Sequence, residues 1–431
     1  MKIDELFIDL LIRRHQDYSI EAEGKARNCF LDFLGAIIGG KRYLAVTHPE
    51  LMGVTHSEAF FNAFSAHVLE LDDGHRHGMI HLGASIISAL LEVANREQLS
   101  SDQLLKGIVM GYEAALRCAK ALQPGHKMRG YHVSGTCGTI GAAMGIAFAL
   151  DYDIAQLKST LSCAGTSASG LLEIQEQSSE LKPYNVGRAA MDGVVAAQIG
   201  RLGIPGPDDI LGGKRGFLAV LTDTPHKEVL TDFGEESYAI EGIYQKVYAA
   251  CRHCHPAIDA AMAIRNKIDL KPEQVEKIEV HTYKLAVGSH DHTDIKGISS
   301  AKLSTPFAVA LAIVKGSAGY ADYTEENLEN RWIKSLTRRV VVIEDKDLTD
   351  RSPAVRGARL IINLKDGESY ESVCLYPKGE PENPLSQQEL EDKFRSLAVY
   401  GGLSSEECDE IIREIRKEFF DVKKILQIIR K

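Results

Sequence analysis

Between Glu70 and His81 the chain reads Glu-Leu-Asp-Asp-Gly-His-Arg-His-Gly-Met-Ile-His, placing three carboxylates and three imidazoles within twelve residues. Carboxylates beside imidazoles can hold a histidine protonated or tune one partner toward neutral pH, as general acid/base chemistry requires. Three readings stand side by side here: a solvated turn, an acid/base site, or a metal site built on His and Asp. A second group, His126-Lys127-Met-Arg129-Gly-Tyr131-His132-Val-Ser134, leads into a glycine-striped helix. The free N–H groups and dipole of a helix N-terminus attract anions, so a substrate carboxylate could sit there. A plain Ser134 cap with solvated basic neighbours is the alternative. The third group runs Lys246-Val-Tyr-Ala-Ala-Cys251-Arg252-His253-Cys254-His255, near an expected domain junction, where clefts form. Lys246 could neutralise a carboxylate or, if desolvated, transfer a proton; otherwise it is a surface lysine.

Several tempting motifs fail. Cys251-x-x-Cys254-His255 fits the haem-attachment pattern, but that chemistry belongs to exported proteins, and a zinc site would need a second ligand pair that no persuasive spacing supplies. Both thiols are expected to be packing or pocket-wall residues. Gly135-x-x-Gly138-x-x-Gly141 has neither the spacing nor the preceding strand of a dinucleotide fingerprint. Gly212-Gly-Lys-Arg215 lacks the rest of a phosphate loop, and Gly165–Gly170 does not form an esterase elbow.

The elements that must position these groups fall into two kinds. The 431 residues, 44% hydrophobic and 26% charged, have an ordinary globular balance and are long enough for two domains. A net charge of −10 argues against nucleic-acid or anionic-membrane partners without excluding a small acidic substrate. No apolar run reaches the ~20 residues of a membrane span, and Asp4, Glu5 and Asp9 interrupt the first one, so a cytoplasmic chain with reduced cysteines is expected. Residues 1–215 carry apolar positions at helical spacing, and Gly135, Gly138, Gly141 and Gly145 form one stripe for close helix packing. Segments 274–287, 338–343, 358–364 and 369–375 are β-branched and partly alternating, with a hairpin signal at Asp366-Gly367 and a helix over 306–315. A capping box at Ser386 and Glu389 reopens helical structure, and Ile411, Ile415, Phe419, Val422, Leu426 and Ile429 form a closing stripe. The predicted fold is mainly α with an inserted α+β domain: a discontinuous helical domain of residues 1–265 and 385–431, carrying a small α+β domain at 266–384.

These groups sit in segments that together resemble the MmgE/PrpD family, which contains 2-methylcitrate dehydratase, cis-aconitate decarboxylase and iminodisuccinate epimerase. Asp32-Phe-Leu-Gly-Ala, Asn62-Ala-Phe-Ser-Ala-His67 through Asp73, His81-Leu-Gly83, Gly130–Ala143, Ala164–Glu173, Asn185-Val-Gly-Arg188-Ala-Ala190, Cys251–Ala257 and Pro377-Lys-Gly-Glu-Pro-Glu-Asn-Pro384-Leu-Ser are similar to family blocks, in the right order. The resemblance implies a homodimer, a site between the two domains, and cofactor-free, metal-free chemistry on di- or tricarboxylates. Carried onto this chain, it implies catalytic roles for His81, Asp72, Asp73, Lys246 and His132, with Glu70, His75, Arg76, Ser134 and Arg252 around the substrate. His81 or a neighbouring carboxylate would take a proton α to a substrate carboxylate, while Lys246, Arg252 and His132 hold carboxylates and the developing enediolate. The chain departs from decarboxylase-type members at Gly74, in place of Thr, and at Met191, in place of Lys; Leu82 replaces the Pro of the family's His-Pro-Gly. Loss of a hydroxyl and a cation weighs most against decarboxylation. A 2-methylcitrate dehydratase-like hydro-lyase is therefore the leading expectation, with an epimerase of the iminodisuccinate type as the alternative and a non-catalytic binding paralogue as the third.

Overall fold

Helical periodicity in the first half of the chain is realised as packed helices. The computed structural model describes residues 2–430 apart from 17–18, 52, 54–56, 233–236, 269 and 289. Helices Ile3–Gln16, Ile20–Thr47, Glu58–Val68, Gly83–Glu97, Ser101–Leu122, Val133–Ala149, Ile154–Ser167 and Lys182–Gly200 follow one another, and their apolar stripes meet in one large core. Small residues set how closely they approach. An added Cβ on Gly111 or Gly141 would lie 2.8 Å from the other's carbonyl oxygen, and one on Gly145 would lie 2.7 Å from that of Gly107. Only two of the four striped glycines face this seam; Gly138 faces Ser85 and Ala189, and Gly135 faces Ser169 and Asn185. Gly40 is tighter still, its missing Cβ position lying 1.8 Å from the Ser65 carbonyl oxygen.

The strands Val275–Thr282 (β1), Val340–Glu344 (β2), Ala358–Leu364 (β3) and Ser369–Cys374 (β4) form one sheet in the order β2-β1-β3-β4. β1 runs parallel to β2 and antiparallel to β3, and β3–β4 is the hairpin signalled by Asp366-Gly367, with Gly367 at φ 93°. Alternate residues of β3 (Ala358, Leu360, Ile362, Leu364) are buried, and with Val275, Ile278 and Val280 of β1 they cover Phe307, Leu311, Ile258 and Ala261 of helices Thr305–Lys315 and His255–Arg265. This is a second core.

The last helices, Gln387–Tyr400, Ser405–Ile415 and Val422–Ile429, return to the first core, where Leu390, Phe394, Ile411 and Leu426 are buried. Gln387–Tyr400 lies on Gly35 of Ile20–Thr47, and Lys393 pairs with Asp32 at 2.6 Å. The capping box at Ser386 and Glu389 forms as expected. The closing stripe is interrupted at 416–421, which leaves Phe419 73% exposed and turns Phe420 into the core instead. Ser134 is not a helix cap: His132 occupies that position, and Ser134 is free for another contact. Among the described residues no helix is long and apolar enough to cross a membrane.

Candidate active site

The acidic loop between helices Glu58–Val68 and Gly83–Glu97 is fastened from all sides. Gly74 pairs with Tyr244 through two backbone hydrogen bonds (2.9 and 3.1 Å), Lys393 donates to the Leu71 carbonyl at 2.8 Å, and Arg356 donates to the Arg76 carbonyl. Glu70 is held at φ 57°, a left-handed conformation that a non-glycine residue adopts only when its surroundings impose it. What imposes it is charge. One Glu70 oxygen accepts from Lys246 at 2.7 Å and the other from Lys182. Burial alone would push this carboxyl up, but the two ammonium groups hold it well below the usual range, and Glu70 in turn keeps the buried Lys246 protonated.

Asp72 is the hub. Its Oδ2 lies 2.7 Å from Nδ1 of His67 and 3.4 Å from Nδ1 of His81, and its Oδ1 lies 3.8 Å from Lys246 Nζ. Burial opposes ionisation, yet His67, His81 and Lys246 hold this carboxyl below its ordinary value. Each histidine's partner defines its tautomer. Nδ1 of His81 lies 2.7 Å from the Asp73 carbonyl oxygen, which only accepts, so Nδ1 carries the proton and Nε2 presents a lone pair. The backbone N–H of His81 donates to Ser134 Oγ at 3.0 Å, which ties the loop to the helix Val133–Ala149. His132 is the opposite case. Its Nδ1 accepts from Asn185 Nδ2 at 3.1 Å, and the same nitrogen donates to the Leu171 carbonyl at 3.1 Å, which settles which end of the amide faces the ring. His132 therefore carries its proton on Nε2. Burial pushes His81 down to about 3 and His132 well below the usual imidazole range, so both rings are neutral at pH 7. His67 lies between them, its ring centroid 4.9 Å from that of His81 and 6.3 Å from that of His132. Its Nε2 and the Asp72 Oδ1 are buried without a hydrogen-bond partner among the described residues.

The cluster borders a cavity of 260 Å³ lined by Tyr43, Phe64, His67, Glu70, Lys182 and Lys302, among others. Burial lowers the Lys302 ammonium to about 8; it donates to the Val68 carbonyl at 3.2 Å. Two triads bring ligating atoms within 4.8 Å of one another, as a bound metal would require: His67–Asp72–His81 and Cys251–His253–His290.

The structure thus brings together Glu70, Asp72, His81, His132, Ser134 and Lys246. It directs the others elsewhere. The Asp73 carboxylate accepts from Tyr112 (2.5 Å) and from the Gly83 N–H (2.9 Å), anchoring the helix that follows, and burial pushes it up to about 6. His75 accepts from the Gly78 N–H and packs against Gly242. Arg76 pairs with Glu380 and Glu382, and Arg252 donates to Glu380 and lies over the Tyr244 ring. His67, Lys182, Asn185 and Lys302 join the site without having stood out as candidates; His67 and Asn185 already lay in family-like blocks, whereas nothing local marked the two lysines.

Family models match most of the chain: the MmgE/PrpD N-terminal domain over residues 53–230 and the MmgE/PrpD C-terminal domain over residues 248–418. Among curated proteins, the chain is 26% identical over 365 residues to the cis-aconitate decarboxylase-like protein oryM of Aspergillus oryzae, covering 79% of this chain and 75% of that protein. It is 23% identical over 351 residues to the human cis-aconitate decarboxylase, covering 79% and 72%, and 22% identical over 354 residues to the mouse one, covering 79% and 71%.

Proposed function

Because the chain belongs to the MmgE/PrpD family, we propose that it is an enzyme that removes a proton α to a carboxylate of a di- or tricarboxylate. The observation that carries this reading is the pair of neutral histidines of opposite tautomer on either side of His67. A proton abstraction of this kind needs one lone pair and one N–H donor in a dry site, and His81 Nε2 and His132 Nε2–H offer the two.

In this mechanism His81 takes the α-proton. Burial keeps its basicity low, and a bound substrate raises it, because an anion beside a buried imidazole favours the charged form. The enediolate charge that develops is met by His132 and by the Lys246 ammonium. Asp72 stabilises the imidazolium that forms, and His67, backed by the same carboxylate, is placed to receive or relay the proton. Lys182 and Lys302 attract the substrate's carboxylates. The cleft is read as lying between a helical domain (1–265 and 385–431) and a small α+β domain (266–384), in a cytoplasmic homodimer.

We take elimination of water from a 2-methylcitrate-like hydroxy acid as the reaction: the enediolate electron pair forms the carbon–carbon double bond as the β carbon–oxygen bond breaks, and the leaving hydroxyl takes the proton relayed from His81 through His67. The relatives bear decarboxylase names, but Gly74 and Met191 stand where decarboxylase-type members carry a hydroxyl and a cation. Pure protein incubated in D₂O with 2-methylcitrate, citrate, cis-aconitate and smaller dicarboxylates, followed by proton NMR, tests the reading. The expected result is deuterium at a substrate α-carbon together with an unsaturated acid. Exchange without loss of water would assign an epimerase instead, and no exchange into any of these acids would overturn the proposal.

A further inference from the structure

Cys251 takes no part in the proton chemistry above, yet its backbone is fastened to a residue that lines the same cavity. Its N–H donates to the Lys302 carbonyl at 2.8 Å, and Lys302 and Leu303 line that cavity. The Cys251 Sγ lies 3.8 Å from Nε2 of His290. Nδ1 of His290 is 2.9 Å from the carbonyl oxygen of Leu303, so Nδ1 holds the ring proton and Nε2 turns its lone pair to the thiol. His253 stacks on His290, with centroids 4.7 Å apart and planes 20° apart, and is itself fixed by Tyr283 at 2.6 Å. Nucleophile, base and orienting acceptor stand in the order that activates a cysteine.

We propose that Cys251 and His290 form a nucleophilic dyad, and that Cys251 is a covalent-modification site for small anionic electrophiles such as α-halo or α,β-unsaturated carboxylates. The charge around the dyad selects the anion. Lys127, Lys182 and Arg356 all act on the adjacent His253, and Nε of Arg356 is buried without a partner among the described residues. Glu70 opposes them, but its charge is already shared between Lys182 and Lys246. A divalent cation at Cys251, His253 and His290 would meet these same positive groups, which disfavours it. Burial works against ionisation of the Cys251 thiol, but His290 holds it below the ordinary thiol range.

With a halo acid, the thiol proton passes to His290 Nε2, the S–C bond forms as the carbon–halogen bond breaks, and halide leaves with the electron pair. With an unsaturated acid, sulfur adds at the β-carbon and the π pair moves to the α-carbon, which takes the proton back from His290.

The test treats the full chain at pH 7 with limiting iodoacetate, and in parallel with neutral iodoacetamide, followed by peptide mapping. Cys251 is expected to react at least about fivefold faster than any of the other cysteines, since a thiol titrating near the working pH is the best attacker. Half-buried Cys163 and Cys374 serve as internal references, and the iodoacetate-to-iodoacetamide rate ratio should be higher at Cys251 than at either. His290→Gln should slow Cys251 by about fivefold with Cys163 and Cys374 unchanged, which separates a lost base from a misfolded protein; His290→Asn provides a second variant. Labelling of Cys251 no faster than that of Cys163 or Cys374, no effect of either His290 variant, or one equivalent of tightly held zinc that blocks labelling would each overturn the proposal. None of these readouts depends on which acid the enzyme turns over.

Discussion

Asn185→Asp is the most informative substitution at the site, because it changes one proton's address and little else. In the parent, one amide nitrogen donates both to His132 Nδ1 and to the Leu171 carbonyl. A carboxylate there can only accept, so the His132 ring must carry hydrogen on Nδ1, and a neutral ring then lacks the Nε2 hydrogen that the proposed mechanism uses. Removal of one preorganised donor from a developing oxyanion costs about 3–4 kcal/mol, or 10²–10³ in kcat. That loss should appear in kcat more than in KM, since the contact strengthens only as charge develops. Two assays run together: α-proton exchange on the best acid of the panel, and long-range ¹⁵N–¹H spectra of histidine-labelled protein, which report each ring's tautomer directly. Asn185→Leu, which offers neither donor nor acceptor, should leave the ring unbiased and fall between parent and Asn185→Asp. If His132 keeps its hydrogen on Nε2 in Asn185→Asp, or if kcat stays within about threefold of the parent, the tautomer argument is wrong.

Three further perturbations test the surroundings. Glu70→Gln leaves Lys182 and Lys246 facing a neutral amide; breaking a buried pair of this kind should cost about 3 kcal/mol, and an unchanged urea midpoint would count against it. Burial raises the folded-state value of Asp73 to about 6, above the ordinary 3.8 of an aspartate, so the folded protein binds this proton more readily and loses stability as pH rises through that window. Between pH 4 and pH 7 the stability of Asp73→Asn relative to the parent should therefore improve by ~2 kcal/mol, and a constant difference would refute the buried-acid assignment. Gly40→Ala drives a methyl into the Ser65 carbonyl oxygen and should destabilise by about 3 kcal/mol, whereas Gly24→Ala in the same helix meets nothing within 4 Å and should stabilise by about 1 kcal/mol; thermal unfolding distinguishes the two.

Local order was legible in the sequence because local rules govern it. The alternation of Ala358–Leu364, the Asp366-Gly367 turn and the Ser386–Glu389 box each depend on neighbours a few residues apart. Phe419 shows where this fails: its spacing continues a helical stripe, but the break at 416–421 rotates the register by one residue, and Phe420 is buried in its place. At the site, residue type identified His81, His132 and Lys246, but not what each faces. Asp73 and Arg252 look equally chemical in the sequence; one holds a helix N-terminus and the other a glutamate 128 positions away. Lys182 and Lys302 were invisible for the same reason, since only the fold brings them to Glu70 and to the cavity.

The seam where Gly107 and Gly111 meet Gly141 and Gly145 has a mechanical consequence. Main chain rests on main chain there, with Leu90, Ile86 and Ala115 wedged beside it, so neither helix can roll without collision. The imidazole and hydroxyl at the head of Val133–Ala149 are therefore mounted on a rigid bed. The cavity wall is built from other elements, and any breathing that admits a solute falls to these, among them Lys302 and Leu303 on a helix of six residues.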